Sequence, residues 1–218
     1  MVGFAKVPAQ QGRRGLAAVG IAVALIGCGS DLVPATEDEL GGPWRPMPML
    51  VGPDTRAEVD AACLADQAMP DGLSLIVTDA RGEGRLVVGY ADADRGGSEA
   101  WLQATIGAEP PSKCQMMSTS ERGGLLPLGE RELRVSNNAS MGDDDGWWSM
   151  IAGQAGADIA QVVAEVPGSP RIVATLNEGW FALWWPDEGQ PADQPPPGDF
   201  RLVGLDQTGA EIAEFGNR

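Results

Sequence analysis

After residue 70 the chain is a series of short apolar runs, most of them β-branched, separated by clusters of Gly, Pro, Asp and Asn. Runs of that length and composition predict strands rather than helices. Leu73 to Thr78 and Arg85 to Ala91 flank Asp79-Ala80-Arg81-Gly82-Glu83-Gly84, a set of turn residues, so this stretch predicts a hairpin. Trp101 to Ile106, Cys114 to Met117 and Glu132 to Val135 predict further strands, the last two short. In the carboxyl half, strands are predicted at Trp147 to Ala152, Ile159 to Val166, Arg171 to Asn177 and Trp180 to Trp185. A second hairpin is expected from Phe200 to Leu205 and Glu211 to Phe215 around Asp206-Gln207-Thr208-Gly209. The proline-rich residues 186–198 between these groups read as a long loop.

One helix is legible before the strands. Thr55-Arg56-Ala57-Glu58 fits a capping box, in which hydroxyl and carboxylate satisfy free backbone donors. Pro53 precedes it and Met69-Pro70 ends it, while Val59, Ala62 and Cys63 share one face at helical spacing. Residues 28–52 carry four prolines, Gly41-Gly42 and four acids, without helix or strand periodicity, and read as an extended tether. About 165 residues follow, enough for one domain with its own core. The expected fold class is mainly β (α+β), with antiparallel, sandwich-like sheets and one N-terminal disulfide-pinned helix.

The stretch Trp180-Phe181-Ala182-Leu183-Trp184-Trp185 is apolar on both faces of a strand. That pattern suits a central strand covered on each side. The competing reading is a tryptophan platform for a sugar or peptide, with Trp147, Trp180 and Trp184 as its candidates. Core packing is the commoner use of such residues.

Charge and chemistry narrow the function classes. The net charge is −16, and the chain contains no histidine. Acidity of this size disfavours nucleic acid as a partner. The absence of histidine removes Ser-His and Cys-His nucleophiles and the usual histidine zinc sites. No nucleophile elbow, P-loop or dinucleotide fingerprint occurs, so no catalytic residue and no cofactor are expected. Asp143-Asp144-Asp145 lacks the alternate-ligand spacing of a calcium loop and reads as a solvated turn, so no metal is expected either.

The amino-terminal residues carry the most specific signal. Lys6, Arg13 and Arg14 precede an uncharged apolar run from Gly15 to Gly27, which ends in Leu25-Ile26-Gly27-Cys28. The run is short for a bilayer span of roughly 20 residues and suits a signal peptide. This layout resembles the signal peptide and lipobox of bacterial lipoproteins. The resemblance implies cleavage after residue 27, lipidation of Cys28, and anchoring to the outer face of the cytoplasmic membrane. Losing residues 1–27, with three basic residues and no acid, would take the net charge to −19. Cys63 and Cys114 then remain, and an even pair in an exported protein reads as a disulfide.

Leu75-Ile76-Val77-Thr78-Asp79-Ala80-Arg81-Gly82 and Gly179-Trp180-Phe181-Ala182-Leu183-Trp184-Trp185-Pro186 also resemble stretches of uncharacterised exported actinobacterial proteins. That resemblance implies export and fold, and no activity. The functional expectation is therefore a non-enzymatic binding or accessory module held at the membrane by a lipid on Cys28. Its partner would be an envelope glycan, peptide or protein. The alternative expectation is a carboxylate-dependent hydrolase or a glycan- or peptide-binding protein of the envelope.

Overall fold

A computed structural model describes residues 34–66, 73–91, 98–105, 114–121, 127–143, 146–187 and 199–217. Leu32–Arg218 form one compact unit. The proposed signal peptide and Cys28 lie outside the described residues.

Two helices and twelve strands are seen among the described residues, and the strands make three antiparallel sheets. The first sheet is a meander of β1 (Ser74–Ala80), β2 (Arg85–Ala91), β3 (Ser98–Thr105) and β4 (Cys114–Glu121). The second runs in the order β5 (Leu133–Asp143), β6 (Gly146–Ala155), β10 (Trp180–Pro186) and β9 (Thr175–Asn177). The third runs β12 (Glu211–Asn217), β11 (Phe200–Leu205), β7 (Gln161–Glu165) and β8 (Ile172–Val173). The fold is thus mainly β and antiparallel, and both expected hairpins are present.

Side-chain alternation explains how the sheets stack. On β10, Trp180, Ala182 and Trp184 join Ile76, Val87 and Trp101 of the first sheet in one apolar cluster. Phe181, Leu183 and Trp185, on the other face, join Val162, Ala164 and Leu202 of the third sheet in another. The second sheet is therefore the middle layer, and a strand apolar on both faces is what that position requires. The ring of Trp101 lies over Gly89 of the neighbouring strand, where a Cβ atom would collide with it. Glycine at 89 makes room for the fully buried Trp101 ring.

The outer face of the first sheet is covered by α1 (Glu37–Leu40), α2 (Pro53–Asp66) and the chain around them. Val59 and Cys63 of α2 are buried there, while Ala62 is half-buried. Two links pin α2. Cys63 is disulfide-bonded to Cys114 at the start of β4, 51 positions away. The Tyr90 hydroxyl of β2 donates to Asp60 Oδ1 at 2.8 Å.

The disulfide-pinned helix is not N-terminal, because α1 precedes it. Its start is not the Thr55–Glu58 capping box: the helix begins at Pro53, where the missing N–H costs nothing, and Arg56 N bonds Gly52 O at 2.9 Å. The capping box sits at α1 instead. Thr36 N donates to Glu39 Oε2 at 2.9 Å, and Glu39 N to Thr36 Oγ1 at 3.3 Å.

Residues 34–52 do not stand apart as a tether. Leu40 is 2% exposed, Met49 pairs with Ala80, and Trp44 Nε1 donates to Trp184 O at 3.2 Å. Prolines remove periodicity but leave carbonyls and apolar side chains free to pack, which is how this segment is held. Finally, the strand expected over residues 171–177 is split. Its first part pairs with β7 and its second with β10, so the chain changes sheets at Ala174.

Candidate functional site

The middle sheet brings together five polar or aromatic residues. Ser140 on β5 lies opposite Ser149 on β6, and Ser149 lies opposite Trp185 on β10. Ser149 is two positions from Trp147, so both side chains share a face, about 7 Å apart along the strand. Asp187 follows β10 immediately, and its N–H donates to Trp147 O at 2.8 Å. That bond sets the carboxylate beside Ser149.

The hydrogen-bonded group is closed on one side. Ser149 Oγ donates to Asp187 Oδ2 at 2.7 Å, and Trp185 Nε1 donates to Asp187 Oδ1 at 3.1 Å. Ser140 Oγ and Ser149 Oγ are 2.8 Å apart. Ser149 and Trp185 are buried, Asp187 and Trp147 are half-buried, and Ser140 is exposed. Trp147 lies over Gly142: a Cβ there would approach the indole ring to 3.1 Å. One face of the ring is thus backed by main chain.

Burial raises the Asp187 pKa above the usual aspartate value, against the hydrogen bonds from Ser149 and Trp185 that lower it. Desolvation disfavours the charged form and wins here. Asp187 has no Arg or Lys partner among the described residues. Arginines do pair with Asp79 and with Glu165.

The three tryptophans of the expected platform do not share a surface. Trp184 is 0% exposed and packs edge-on against Trp148 at 6.2 Å between centroids. It is a core side chain, because the first sheet covers it. Trp180 is half-buried on that same inner face, with its ring 6.4 Å from that of Trp101. Trp147 points to the opposite face. Trp147 lies across the strand from Asp187, whose N–H its carbonyl accepts.

Other features carry less chemistry. Among the described residues no group of three His, Cys, Asp or Glu side chains is placed to hold a metal, and no helix is long and apolar enough to cross a membrane. Asp143 ends strand β5, and Asp144 and Asp145 of the acidic run lie outside the described residues. A hollow of about 470 Å³ on the third sheet is lined by Glu165, Phe200, Arg201 and Glu214. Its arginine already meets three carboxylates, so it offers no free cation to an anionic ligand.

Sequence reasoning missed Ser140, Ser149 and Asp187. The available signal was Ser149 itself, the one hydroxyl within the apolar run Trp147 to Ala152. Comparison with family models, with curated proteins and with solved structures finds no match to this chain.

Proposed function

We propose that this protein is an extracytoplasmic lipoprotein, held to the outer face of the cytoplasmic membrane by a lipid on Cys28, whose β domain is a non-enzymatic binding module. The observation that carries the reading is the string Leu25-Ile26-Gly27-Cys28 after an uncharged apolar run. The disulfide supports it. Cys63 and Cys114 are bonded to one another, which leaves Cys28 as the odd cysteine of the three in the sequence. Disulfides persist in oxidising compartments, which is where export would bring this domain. The anionic surface, expected to be −19 after cleavage, keeps the domain soluble and repels nucleic acid.

The anchor would be short. Because residues from Ala35 onward pack on the domain, only six chain steps separate Cys28 from Pro34, at most about 20 Å of extended chain. The domain would work near the bilayer.

The test is expression of wild type and Cys28→Ala with labelled palmitate, followed by cell fractionation. Wild type is expected to take up label and sediment with membranes, and the variant to lose both. Undiminished membrane retention of the variant would sink the anchor.

A further inference from the structure

Asp187 is a carboxylate partly removed from water, facing the same side as the half-buried Trp147 indole, in a chain with a net charge of −16. Both of its oxygens receive hydrogen bonds, yet both donors are neutral: the Ser149 hydroxyl and the Trp185 N–H. No Arg or Lys of the described residues compensates its charge. The sequence around the two strand ends adds none. Residues 186–199 and 140–149 contain no Lys or Arg, and between them carry six acids besides Asp187.

A desolvated carboxylate without a counter-charge is stabilised by bringing one in. An adjacent indole face attracts the same kind of group, through the negative face of its ring. The overall acidity of the chain steers cations toward it. Taken together, the geometry points to a binding subsite for an alkylammonium group, formed by Asp187 and Trp147 with Ser140 at its rim. The carboxylate would take the ammonium protons, the indole its methylenes, and Ser140 Oγ a further hydrogen bond.

A neutral saccharide would also stack on Trp147. It would leave the Asp187 charge uncompensated, which is why the cation is the better occupant. This inference rests on the binding-module half of the proposed function and not on the lipid anchor. Fractionation tests the anchor, and calorimetry tests the ligand, so the two fail separately.

The experiment is isothermal titration of the detergent-solubilised full chain with three probes: spermidine, N-acetyl-lysine methylamide and cellobiose. Spermidine binding alone identifies a free polyamine as the source of the ammonium, and lysine amide binding identifies a protein side chain. Asp187→Asn keeps one oxygen for Trp185 Nε1 and turns its amide NH2 to Ser149 Oγ, which can accept, and is expected to weaken the cation by about tenfold or more, the scale of a lost charge-assisted hydrogen bond. Trp147→Ala is expected to weaken it by about threefold, and Trp147→Phe to restore most of that loss. Melting temperatures of all variants establish that they are folded. Should Asp187→Asn fail to fold, the Ala and Phe variants at 147 carry the test.

Three outcomes overturn the subsite. One is no cation binding up to about 10 mM, weaker than any useful recognition. Another is equal binding by wild type and Asp187→Asn, which would mean diffuse attraction to an acidic surface. The third is cellobiose binding in place of the cations, which would make the patch a glycan platform.

Discussion

Two arginines hold this domain together in opposite ways. Arg81 and its partner Asp79 are both 0% exposed. Arg81 Nε and Nη2 grip the two carboxylate oxygens at 2.7 and 3.0 Å, Nη1 donates to Pro46 O at 2.7 Å, and Nη2 also meets Val173 O. Thr175 Oγ1 adds a bond to Asp79 Oδ1 at 2.6 Å. These partners come from β1, from the segment before α2, and from the point where the chain passes from the third sheet to the second. Arg201, 31% exposed on β11, fans out instead to Glu165 at 2.9 Å, Glu211 at 2.8 Å and Glu214 at 3.2 Å. Its bonds run between strands that are already hydrogen-bonded to one another. The inner cluster joins layers that have no backbone ladder in common, whereas the outer one decorates a ladder. Ion pairs of similar length should therefore differ greatly in consequence.

The largest effect is expected from Arg81→Met. It would leave Asp79 buried without its counter-charge, with Thr175 as its remaining side-chain donor among the described residues, a loss on the order of 3–5 kcal/mol by the measure of other broken buried pairs. Calorimetry should show a fall in melting temperature of roughly 10 °C for a domain of this size. The double variant Asp79→Leu/Arg81→Met sharpens the comparison. Removing both charges removes the desolvation cost, so it should recover part of the loss. Full recovery would mean that the bonds from Arg81 to Pro46 O and Val173 O contribute nothing, and that the clamp is only an ion pair. Partial recovery would assign the remainder to those two carbonyls.

A smaller loss is expected from Thr175→Val. It preserves shape on β9 while removing one donor to Asp79, so about 1 kcal/mol should be lost, more if Asp79 Oδ1 is poorly served by Arg81 alone. Chemical denaturation should show a lower midpoint with an unchanged slope. No measurable change would show that the middle sheet is joined to the clamp by packing and not by this bond.

The sequence makes one of these regions readable and hides the other. Strand β11 and its hairpin with β12 follow from apolar runs around the turn Asp206-Gln207-Thr208-Gly209, and Arg201 and Glu214 fall on them as polar positions of a surface strand. Asp79 and Arg81 look like more turn chemistry, because Asp, Arg and Gly crowd the end of β1. Yet two opposite charges two positions apart share one face of a strand, and that spacing was the available clue. What no local pattern could give is the third layer that buries them. Pro46 and Val173 arrive from 35 and 92 residues away. The tether reading failed for the same reason: proline content marks a lack of periodic structure and says nothing of long-range hydrogen bonds. The Trp180 to Trp185 stretch was legible because both of its faces are apolar, and that alone implies two covering layers. Asp187 was not, since its carboxylate is held by Ser149 of the neighbouring strand, 38 positions away, as well as by Trp185 of its own.

The smallest effect is expected at the exposed fan, and pH separates it from the clamp. The hydrogen bonds from Arg201 and then Arg171 lower the Glu165 pKa below its ordinary value. A carboxylate lowered in the native state stabilises folding above the ordinary glutamate range, and that contribution disappears as the pH falls through its native value. Arg201→Ala should therefore lower the melting temperature slightly at neutral pH, because exposed pairs are screened by water. The gap between variant and wild type should narrow as the solution is acidified, and also in about 1 M salt, where the screening length is near 3 Å. The deficit of Arg81→Met should barely change with salt, since water and ions do not reach that pair. An Arg201→Ala deficit as large as that of Arg81→Met, or one indifferent to salt, would mean that the outer strand β12 depends on its side-chain fan and not on its backbone ladder. The distinction between a clamp and a decoration would then fail.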